Sequence, residues 1–414
     1  MATNDTRSWA ISFIAVVLAM MTMQMSSLGF APLLPDIQKT FGMSYSQLGT
    51  FTGVYGLVAI VLSIPAGILA KRYGEKSVLA IGLFVLTLGL LALSIAHTYI
   101  GALSSRVLWI VGYRFAFIAV MTAVALTVPP RFKGQAMGII GAMAAAASVI
   151  GAPFGTSIGG AFGWRHGIMA FAAASFLGML VLLIFYRSAP EGANGGADLH
   201  GHGSLPTAGG KTASIFAAFK NPIVWTIPLL GLTNVGGFAA TFFVPSVIRS
   251  EFHLDAAAGA YIISISYLVA IVVNPICGYL TDRFDRWLVL ASLVALMVPG
   301  GLAMMSHNLY VFQVATATLV SLGLAVTNQL YPTVAELMRG RDVGPLMGIT
   351  ALGGGLFGYL GPQALGWLRD WSGGFNAGWY AVTGSAAFVL GLILYLKHYH
   401  DQRVADQTPR DNPL

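Results

Sequence analysis

Long runs of apolar residues alternate with short polar connections along almost the whole chain. Each run is about 20 residues long or longer, which is the length that an α-helix needs to cross a hydrocarbon core of about 30 Å. The short segments of alternating apolar and polar residues that indicate a membrane β-barrel are not found in the sequence. Because backbone N–H and C=O groups in lipid must be satisfied within the segment, the pattern predicts helices.

We predict twelve membrane spans, numbered in chain order, and therefore an all-α membrane protein. Their expected bounds are about 9–34, 45–70, 76–96, 99–127, 135–160, 164–187, 221–248, 257–281, 287–306, 308–334, 344–367 and 376–397. The segment between spans six and seven is rich in Gly, Ala, Ser and Pro, as flexible linkers are. The predicted organisation is a six-helix bundle over residues 1–187, a cytoplasmic linker over 188–218, a second six-helix bundle over 219–398 and a polar tail over 399–414.

The two halves of the chain repeat each other. The segment "GILAKRYGEKSVL" after span two matches "GYLTDRFDRWLVL" after span eight, and "RFKGQAMGI" before span five matches "RDVGPLMGI" before span eleven. Two repeated six-helix bundles with a binding site between them near the middle of the membrane are typical of secondary transporters.

The composition agrees with a chain that is solvated mainly by lipid, since 56% of its 414 residues are hydrophobic and only 9% are charged. The net charge of +7 does not indicate nucleic acid binding, because no basic cluster is interleaved with aromatic residues. The basic residues concentrate in the loops that are cytoplasmic if the N-terminus is inside. We therefore expect both termini in the cytoplasm. We also expect a bacterial inner (plasma) membrane location, from the compactness of the chain, and a monomer.

No enzymatic chemistry is indicated by the motifs. A phosphate-binding Gly-Lys loop, a nucleophile triad and a metal-ligand cluster at readable spacing are all missing from the sequence, so we expect no cofactor and no metal. His200 and His202 lie in the Gly-rich linker, where two histidines are weak support for a metal site. The single cysteine, Cys277, excludes an intramolecular disulfide.

Two arginines, Arg106 and Arg114, lie inside span four in the stretch "SSRVLWIVGYRFAF". They are about 12 Å apart along the helix axis and about 80° apart around it. Each arginine costs about 2.5–3.5 kcal/mol at a helix centre on insertion scales. Arg106 can lower this cost by reaching outward or by binding helix carbonyls, whereas Arg114 lies too deep for either the headgroups or bulk water.

No Asp or Glu falls in the central part of any predicted span. An anion that enters through a water-filled cavity would therefore balance the charge of Arg114, and a guanidinium is suited to bidentate binding of a carboxylate. The alternative is a structural arginine that braces helices through their carbonyl groups. Further candidates for the site, each of which has helix packing as its alternative role, are Tyr55, Tyr113, Asn234, Tyr267, Asn328, Gln329, Tyr359 and Gln363.

The repeated loops resemble the signature of the major facilitator superfamily, Gly-x-Leu-Ala-Asp-Arg-x-Gly-Arg-Lys. The copy after span eight is matched by Gly278, Asp282, Arg283 and Arg286, and the copy after span two by Gly67, Arg72, Gly74 and Lys76. Lys71 stands where the first copy has its aspartate. Span four keeps the family's arginine as Arg106, and "GAPFGTSIGGAFGWR" in span five is similar to the glycine–proline signature of the family's antiporters.

The resemblance covers nearly the whole chain and implies two six-helix pseudo-repeat bundles that transport by alternating access. It implies a cavity lined by spans one, four, seven and ten, which favours Gln24, Asn234 and Gln329 as binding residues. It also implies a cytoplasmic latch of the outward-open state, formed by Gly67, Arg72, Gly74, Asp282, Arg283, Arg286 and Glu336. We expect the first half of this latch to be weaker because Lys71 replaces the acid, and the alternative is that these charges only set the topology.

The expected function is secondary active transport of a small organic anion, most simply a carboxylate, with proton-linked uptake. Intramembrane proton carriers are usually Asp, Glu or His, but His97, His166 and His307 fall near the ends of spans. The proton would therefore enter with the substrate carboxyl group, or the protein would exchange anions. The alternative is a proton-coupled multidrug efflux antiporter, which the span-five signature favours and the lack of a central acid opposes. A membrane sensor that keeps the same fold would need an added signalling domain.

Overall fold

The computed structural model describes residues 2–128, 133–187, 222–335 and 344–407, and these are almost entirely helical. The helices of the first half are α1 (Ala2–Gly29), α2 (Leu34–Phe41), α3 (Tyr45–Tyr73), α4 (Glu75–Ile95), α5 (Tyr99–Thr127), α6 (Lys133–Phe162) and α7 (Trp164–Phe185). Those of the second half are α8 (Thr233–Ser250), α9 (Ala256–Arg283), α10 (Arg286–Ala303), α11 (Leu309–Ala335), α12 (Gly344–Ser372) and α13 (Asn376–Gln407). A 3₁₀ turn (Ala31–Leu33) joins α1 to α2, and a 3₁₀ stretch (Pro222–Leu232) leads into α8.

Most helix ends agree with the predicted span bounds to within a few residues, and span four coincides with α5. Two differences stand out, and the first has a local cause. Span seven begins as a 3₁₀ stretch that contains Pro228, whose ring and missing N–H interrupt an α-helical ladder. Helix α13 continues to Gln407, so most of the predicted polar tail over 399–414 is helical. The predicted linker over 188–218 lies outside the described residues.

Eleven helical segments in the described part of the chain are long and apolar enough to cross a membrane. Helix α12 is not among them, although it has 29 residues. It is rich in glycine and packs along α3 and against the 3₁₀ stretch before α8. Together these elements form the predicted architecture, an all-α membrane protein of two six-helix bundles.

Polar residues at the connections start several of the helices. Ser44 caps α3 by accepting from the Gln47 backbone N–H, and the Gln47 side chain accepts in return from the Ser44 backbone. Thr98 caps α5 through the Gly101 N–H. Gly74 separates α3 from α4 with φ of +81°, a conformation that favours glycine.

Within each bundle, glycines let helices approach closely. A Cβ atom at Gly89 of α4 would lie 2.3 Å from the Trp109 backbone nitrogen of α5, and one at Gly29 of α1 would lie 2.5 Å from the Gly151 carbonyl carbon of α6. Because apolar side chains gain little by leaving lipid for the protein interior, close backbone packing of this kind stabilises membrane bundles.

Two seams join the bundles, α3 against α12 and α6 against α9. In the first seam, a Cβ at Gly49 would lie 2.4 Å from the Pro362 carbonyl oxygen, and one at Gly56 would lie 2.1 Å from the Gly355 carbonyl oxygen. This seam is therefore closed from the start of α3 to its middle. We call the membrane side that carries Asp36 the Asp36 end, and the opposite side the Asp282 end.

Candidate functional site

Arg114 lies near the middle of α5 with its side chain partly exposed. Its guanidinium carbon is 4.2 Å from the centroid of the Tyr55 ring on α3, which is a cation–π contact. The buried Nε atom has no hydrogen-bond partner. The guanidinium therefore keeps donor capacity that the protein itself does not use.

Tyr55 connects Arg114 to other helices. Its ring centroid is 5.7 Å from that of Tyr113 and 6.0 Å from that of Phe238 on α8. The Tyr113 hydroxyl donates a hydrogen bond to Oε1 of Gln24 on α1. Because Phe238 belongs to the second bundle, these residues lie at the boundary between the bundles, and we call the five of them the Arg114 cluster.

The Arg114 cluster contains no carboxylate. In the described part of the chain, every Asp and Glu lies at or near the end of a helix or in a connection, as the sequence predicted. An arginine that is partly removed from water and lacks an acidic partner is costly unless water or an anion supplies the missing interaction. The electrostatics of the cluster therefore favour an anion over a cation.

Arg106 has a different environment. The sequence offered two ways to lower the cost of burying it, and its side chain does not use the first of them, which was to reach outward. Its guanidinium carbon lies 3.9 Å from the Trp109 ring centroid and 4.3 Å from that of Phe30. The side chain is 1% exposed, and its Nε and Nη2 atoms have no hydrogen-bond partner. Aromatic faces thus stabilise this cation, and a role in substrate binding would require a conformation that uncovers it.

Three other predicted binding residues share hydrogen bonds with threonines of the second bundle. The pairs are Thr327 Oγ1 with Asn234 Oδ1 (2.6 Å), Thr241 Oγ1 with the Tyr267 hydroxyl (3.3 Å) and Thr281 Oγ1 with Gln329 Oε1 (3.0 Å). Tyr267 is buried, while Asn234 and Gln329 are partly exposed. Thr281 directly precedes Asp282, so the structure places Gln329 toward the Asp282 end and outside the Arg114 cluster.

Tyr359 lies in the seam between α3 and α12. A Cβ at Gly53 would lie 2.7 Å from the Tyr359 carbonyl oxygen, which shows how closely the two backbones approach. The side chain of Tyr359 is partly exposed. Its backbone thus contributes to closing the seam.

The Asp36 end is held shut by polar contacts between the bundles. The carboxylate of Asp370, at the end of α12, accepts hydrogen bonds from the backbone N–H groups of Tyr45 (2.9 Å) and Ser46 (2.7 Å). These are the first two residues of α3, whose N–H groups have no partner within their own helix. The negative carboxylate also interacts favourably with the positive end of the helix dipole.

Two more contacts reinforce this closure. Gln363 accepts a hydrogen bond from Thr50 and donates one to Ser46 (3.1 Å), again between α12 and α3. Arg249 at the end of α8 forms an ion pair with Asp36 of α2. The bundles are therefore tied together at the Asp36 end by three polar links and the glycine-lined seam.

At the Asp282 end, the predicted latch residues make local contacts. Asp282, whose side chain is 75% exposed, forms an ion pair with Arg286, four residues later in the chain, with 3.7 Å between Oδ1 and Nη2. The guanidinium carbons of Arg283 and Arg72 lie over the rings of Tyr279 (5.1 Å) and Tyr73 (5.4 Å), each on its own helix. Glu336 lies outside the described residues.

Three residues of the first loop copy have separate explanations. A Cβ at Gly67 would meet nothing within 4 Å, whereas Gly74 is required by its positive φ. Glu75 follows Lys71 by four residues in the first loop copy. It is buried and accepts a hydrogen bond from the Tyr186 hydroxyl (2.9 Å). Glu75 is thus committed to α7 packing and does not replace the missing aspartate in this conformation.

The charges at the start of α10 form a further local network at this end. Asp285 caps the helix through the Leu288 N–H (2.9 Å) and binds Lys397 Nζ (3.1 Å). Burial works against ionisation of Asp285, but the hydrogen bonds from Leu288 and Lys397 outweigh it and hold its pKa below the usual aspartate value. This network ties α10 to α13.

Sequence reasoning missed Phe238 and Asp370. Phe238 is an ordinary apolar residue in an apolar span, and only tertiary structure shows that it meets Tyr55. Asp370 follows span eleven as an unremarkable loop acid. Trp109, by contrast, could have been found, because a residue three positions after Arg106 lies on the same helix face.

Comparison with known proteins agrees with this architecture. The family model of the Major Facilitator Superfamily matches residues 12–270 and 231–413. A putative tartrate transporter of Agrobacterium vitis is 23% identical over 96% of this chain and 92% of its own. A probable nitrate/nitrite transporter, NarK2, of Mycobacterium tuberculosis is 26% identical over 82% of this chain and 84% of its own.

Among solved structures, a bacterial homologue of the human lysosomal transporter Spinster, in an inward-facing and occupied conformation, superposes with a TM-score of 0.73. It is 16% identical and covers 99% of this chain and 98% of its own. At that identity the likeness shows the shared fold.

Proposed function

The chain belongs to the Major Facilitator Superfamily, and we propose that it moves a small organic anion with a carboxylate group across the membrane by alternating access. Arg114 is the anchor for the carboxylate in this proposal. The observation that carries it is the partly exposed residue Arg114 at the boundary of the bundles, with a buried and unpartnered Nε and without an acid in the Arg114 cluster. The planar guanidinium offers parallel donors that match a carboxylate.

The similar proteins give this proposal independent support. Two relatives of this chain carry names that refer to anions, tartrate in one and nitrate or nitrite in the other. Both are too distant to transfer a substrate. An efflux antiporter for cationic drugs would need a negative site near the middle of the membrane, where the described residues place Arg114.

The proposal also assigns the two ends of the protein to the two sides of the membrane. If the N-terminus is cytoplasmic, as the loop charges predict, the Asp36 end faces outside and the closed seam between α3 and α12 blocks the outer entrance. In this proposal the outer entrance is therefore the closed one in this conformation. Opening of the seam together with engagement of Asp282 at the other end would give the outward-open state.

Proton-linked uptake is part of the proposal and follows from the same distribution of charge. Because the described spans hold no acid at mid-depth, no side chain there serves as an acidic proton carrier, so the proton enters together with the substrate anion or the protein exchanges anions. The protein then needs only one positive anchor, and no acidic relay.

Thermal unfolding of the detergent-purified protein tests the anchor. A panel of small carboxylates, inorganic anions and lipophilic cations is added to the wild type, to Arg114→Gln and to Arg187→Gln, an exposed arginine at the end of α7 that serves as a charge-matched control. We expect stabilisation by particular carboxylates in the wild type and in the control variant, with loss in Arg114→Gln. Stabilisation by cations, or anion effects unchanged in Arg114→Gln, would contradict the proposal.

A further inference from the structure

Aromatic rings from both bundles lie around Arg114. Tyr55 lies against Arg114 and 6.0 Å from Phe238, and Phe117 is stacked on Tyr113 at 6.0 Å with an angle of 12° between the rings. Helices α3, α5 and α8 each contribute to this wall. The side chains that could hold the body of a bound anion near Arg114 are therefore mainly aromatic.

The position of these rings distinguishes them from lipid-facing aromatics. Tyr55 and Phe238 belong to opposite bundles and contact each other, so they face the space between the bundles. Tyr55, Phe117 and Phe238 are nevertheless partly exposed. These three residues thus keep exposed surface, as does Arg114 beside Tyr55.

The two arginines of α5 provide an internal comparison. The rings around Arg106, those of Phe30 and Trp109, are 0% and 1% exposed and leave Arg106 itself 1% exposed. There the aromatic groups are fully used in packing around the cation. Around Arg114 the corresponding groups are not fully covered, which is the expected arrangement if a ligand completes the packing.

From this contrast we infer that the transported anion is an aromatic carboxylate, whose carboxylate binds Arg114 and whose ring packs against Tyr55 and Phe238. Ring pairs in offset or tilted arrangements bind better than their burial alone accounts for, because the ring quadrupoles are complementary. Phe238 is then a specificity-determining residue contributed by the second bundle. This inference rests on the proposed function, since it needs Arg114 as the anchor.

The test uses two probes of equal charge and equal carbon number, benzoate and cyclohexanecarboxylate. Their apparent dissociation constants are obtained from the concentration dependence of thermal stabilisation in the wild type, Phe238→Leu and Arg114→Gln. Phe388→Leu, an exposed phenylalanine of α13, is the matched control. We expect benzoate to bind the wild type and the control about 3- to 10-fold more tightly than cyclohexanecarboxylate.

Phe238→Leu should remove that preference while binding of both probes still depends on Arg114. Equal affinity of the two probes in the wild type, with both lost in Arg114→Gln, would overturn the aromatic inference and leave the proposed function standing. Carboxylate effects that do not depend on Arg114 would overturn the proposed function itself. If Phe238→Leu does not unfold cooperatively, the comparison of the two probes in the wild type decides the question.

Discussion

The carboxylate of Asp370, in the second bundle, accepts a hydrogen bond from the backbone N–H of Ser46, in the first bundle, at 2.7 Å. It accepts a second one from the neighbouring Tyr45 N–H. An acid of one bundle thereby completes the N-terminal hydrogen bonds of a helix in the other, and Ser44 completes the next one locally. The exposed side chain of Asp370 therefore contributes directly to the stability of the closed Asp36 end.

Replacing Asp370 with Asn should shift the conformational equilibrium toward an open Asp36 end. The variant loses the charge that interacts with the α3 dipole and one of the two acceptor oxygens, at a cost of about 1 kcal/mol, or about a fivefold change in population. Spin labels at Lys39→Cys and Glu251→Cys, exposed residues of the two bundles, report the change as a longer distance. The background is Cys277→Ala, and an unchanged distance distribution would contradict this role of Asp370.

Gly56→Ala should prevent full closure of the same seam. The new Cβ would lie 2.1 Å from the Gly355 carbonyl oxygen, so the two backbones must separate. We expect the same spin-label pair to show the open distance and transport to fall at least tenfold. Gly141→Ala, where a Cβ meets nothing within 4 Å, is the control and should retain wild-type behaviour. Normal closure in Gly56→Ala would show that the seam is more adaptable than the packing indicates.

Arg106→Lys should destabilise the protein despite keeping the positive charge. A lysine ammonium cannot stack as a plane between Phe30 and Trp109, and the lost cation–π contacts correspond to about 2 kcal/mol at a desolvated site. Thermal unfolding without ligand should show a lower midpoint. The affinity for carboxylates, measured on the folded variant, should change less than in Arg114→Gln. A stable Arg106→Lys that no longer binds anions would instead place Arg106 in the binding site.

The Asp285 network predicts a pH dependence of stability. Because the folded protein holds the pKa of Asp285 below its ordinary value of 3.8, the ionised carboxylate stabilises the fold above that value, and the contribution is lost as the pH falls through the folded-state pKa. Asp285→Asn should lower the unfolding midpoint near pH 7, and its difference from the wild type should shrink as the pH falls below 3.8. Asp401→Asn, which also removes a partner of Lys397 but no helix cap, should have a smaller effect. A difference that stays constant with pH would contradict the assignment.

The sequence was sufficient for the helices and insufficient for the contacts between bundles. Helix α5 has the predicted bounds. The apolar run around Arg114 also indicates that this residue lies deep in the membrane and has no acidic partner near it in the sequence. The aromatic enclosure of Arg106 depends on Phe30 of α1, and the α3 cap depends on Asp370, more than 320 residues away along the chain. Contacts of this kind are set by how two bundles pack, about which a pattern within one helix carries no information.

The residues of the loop signature can be recognised in the sequence, but their contacts cannot be predicted from it. Asp282 at the end of α9 contacts Arg286 at the start of α10, and Gly67 has open space around it. Glu336, the predicted partner of these residues, lies outside the described residues, and contacts specific to one conformation are not expected in every state. The role of these residues in the outward-open state stays a prediction.

The central claim is tested most directly by uptake into proteoliposomes of the carboxylate that stabilises the purified protein most strongly. Wild type, Arg114→Gln and Arg187→Gln are compared with and without a proton gradient that is acid outside. We predict that the wild type and Arg187→Gln accumulate the carboxylate in response to the gradient, while Arg114→Gln remains at the level of protein-free liposomes. Equal uptake by Arg114→Gln and the wild type would contradict an anion carrier anchored at Arg114.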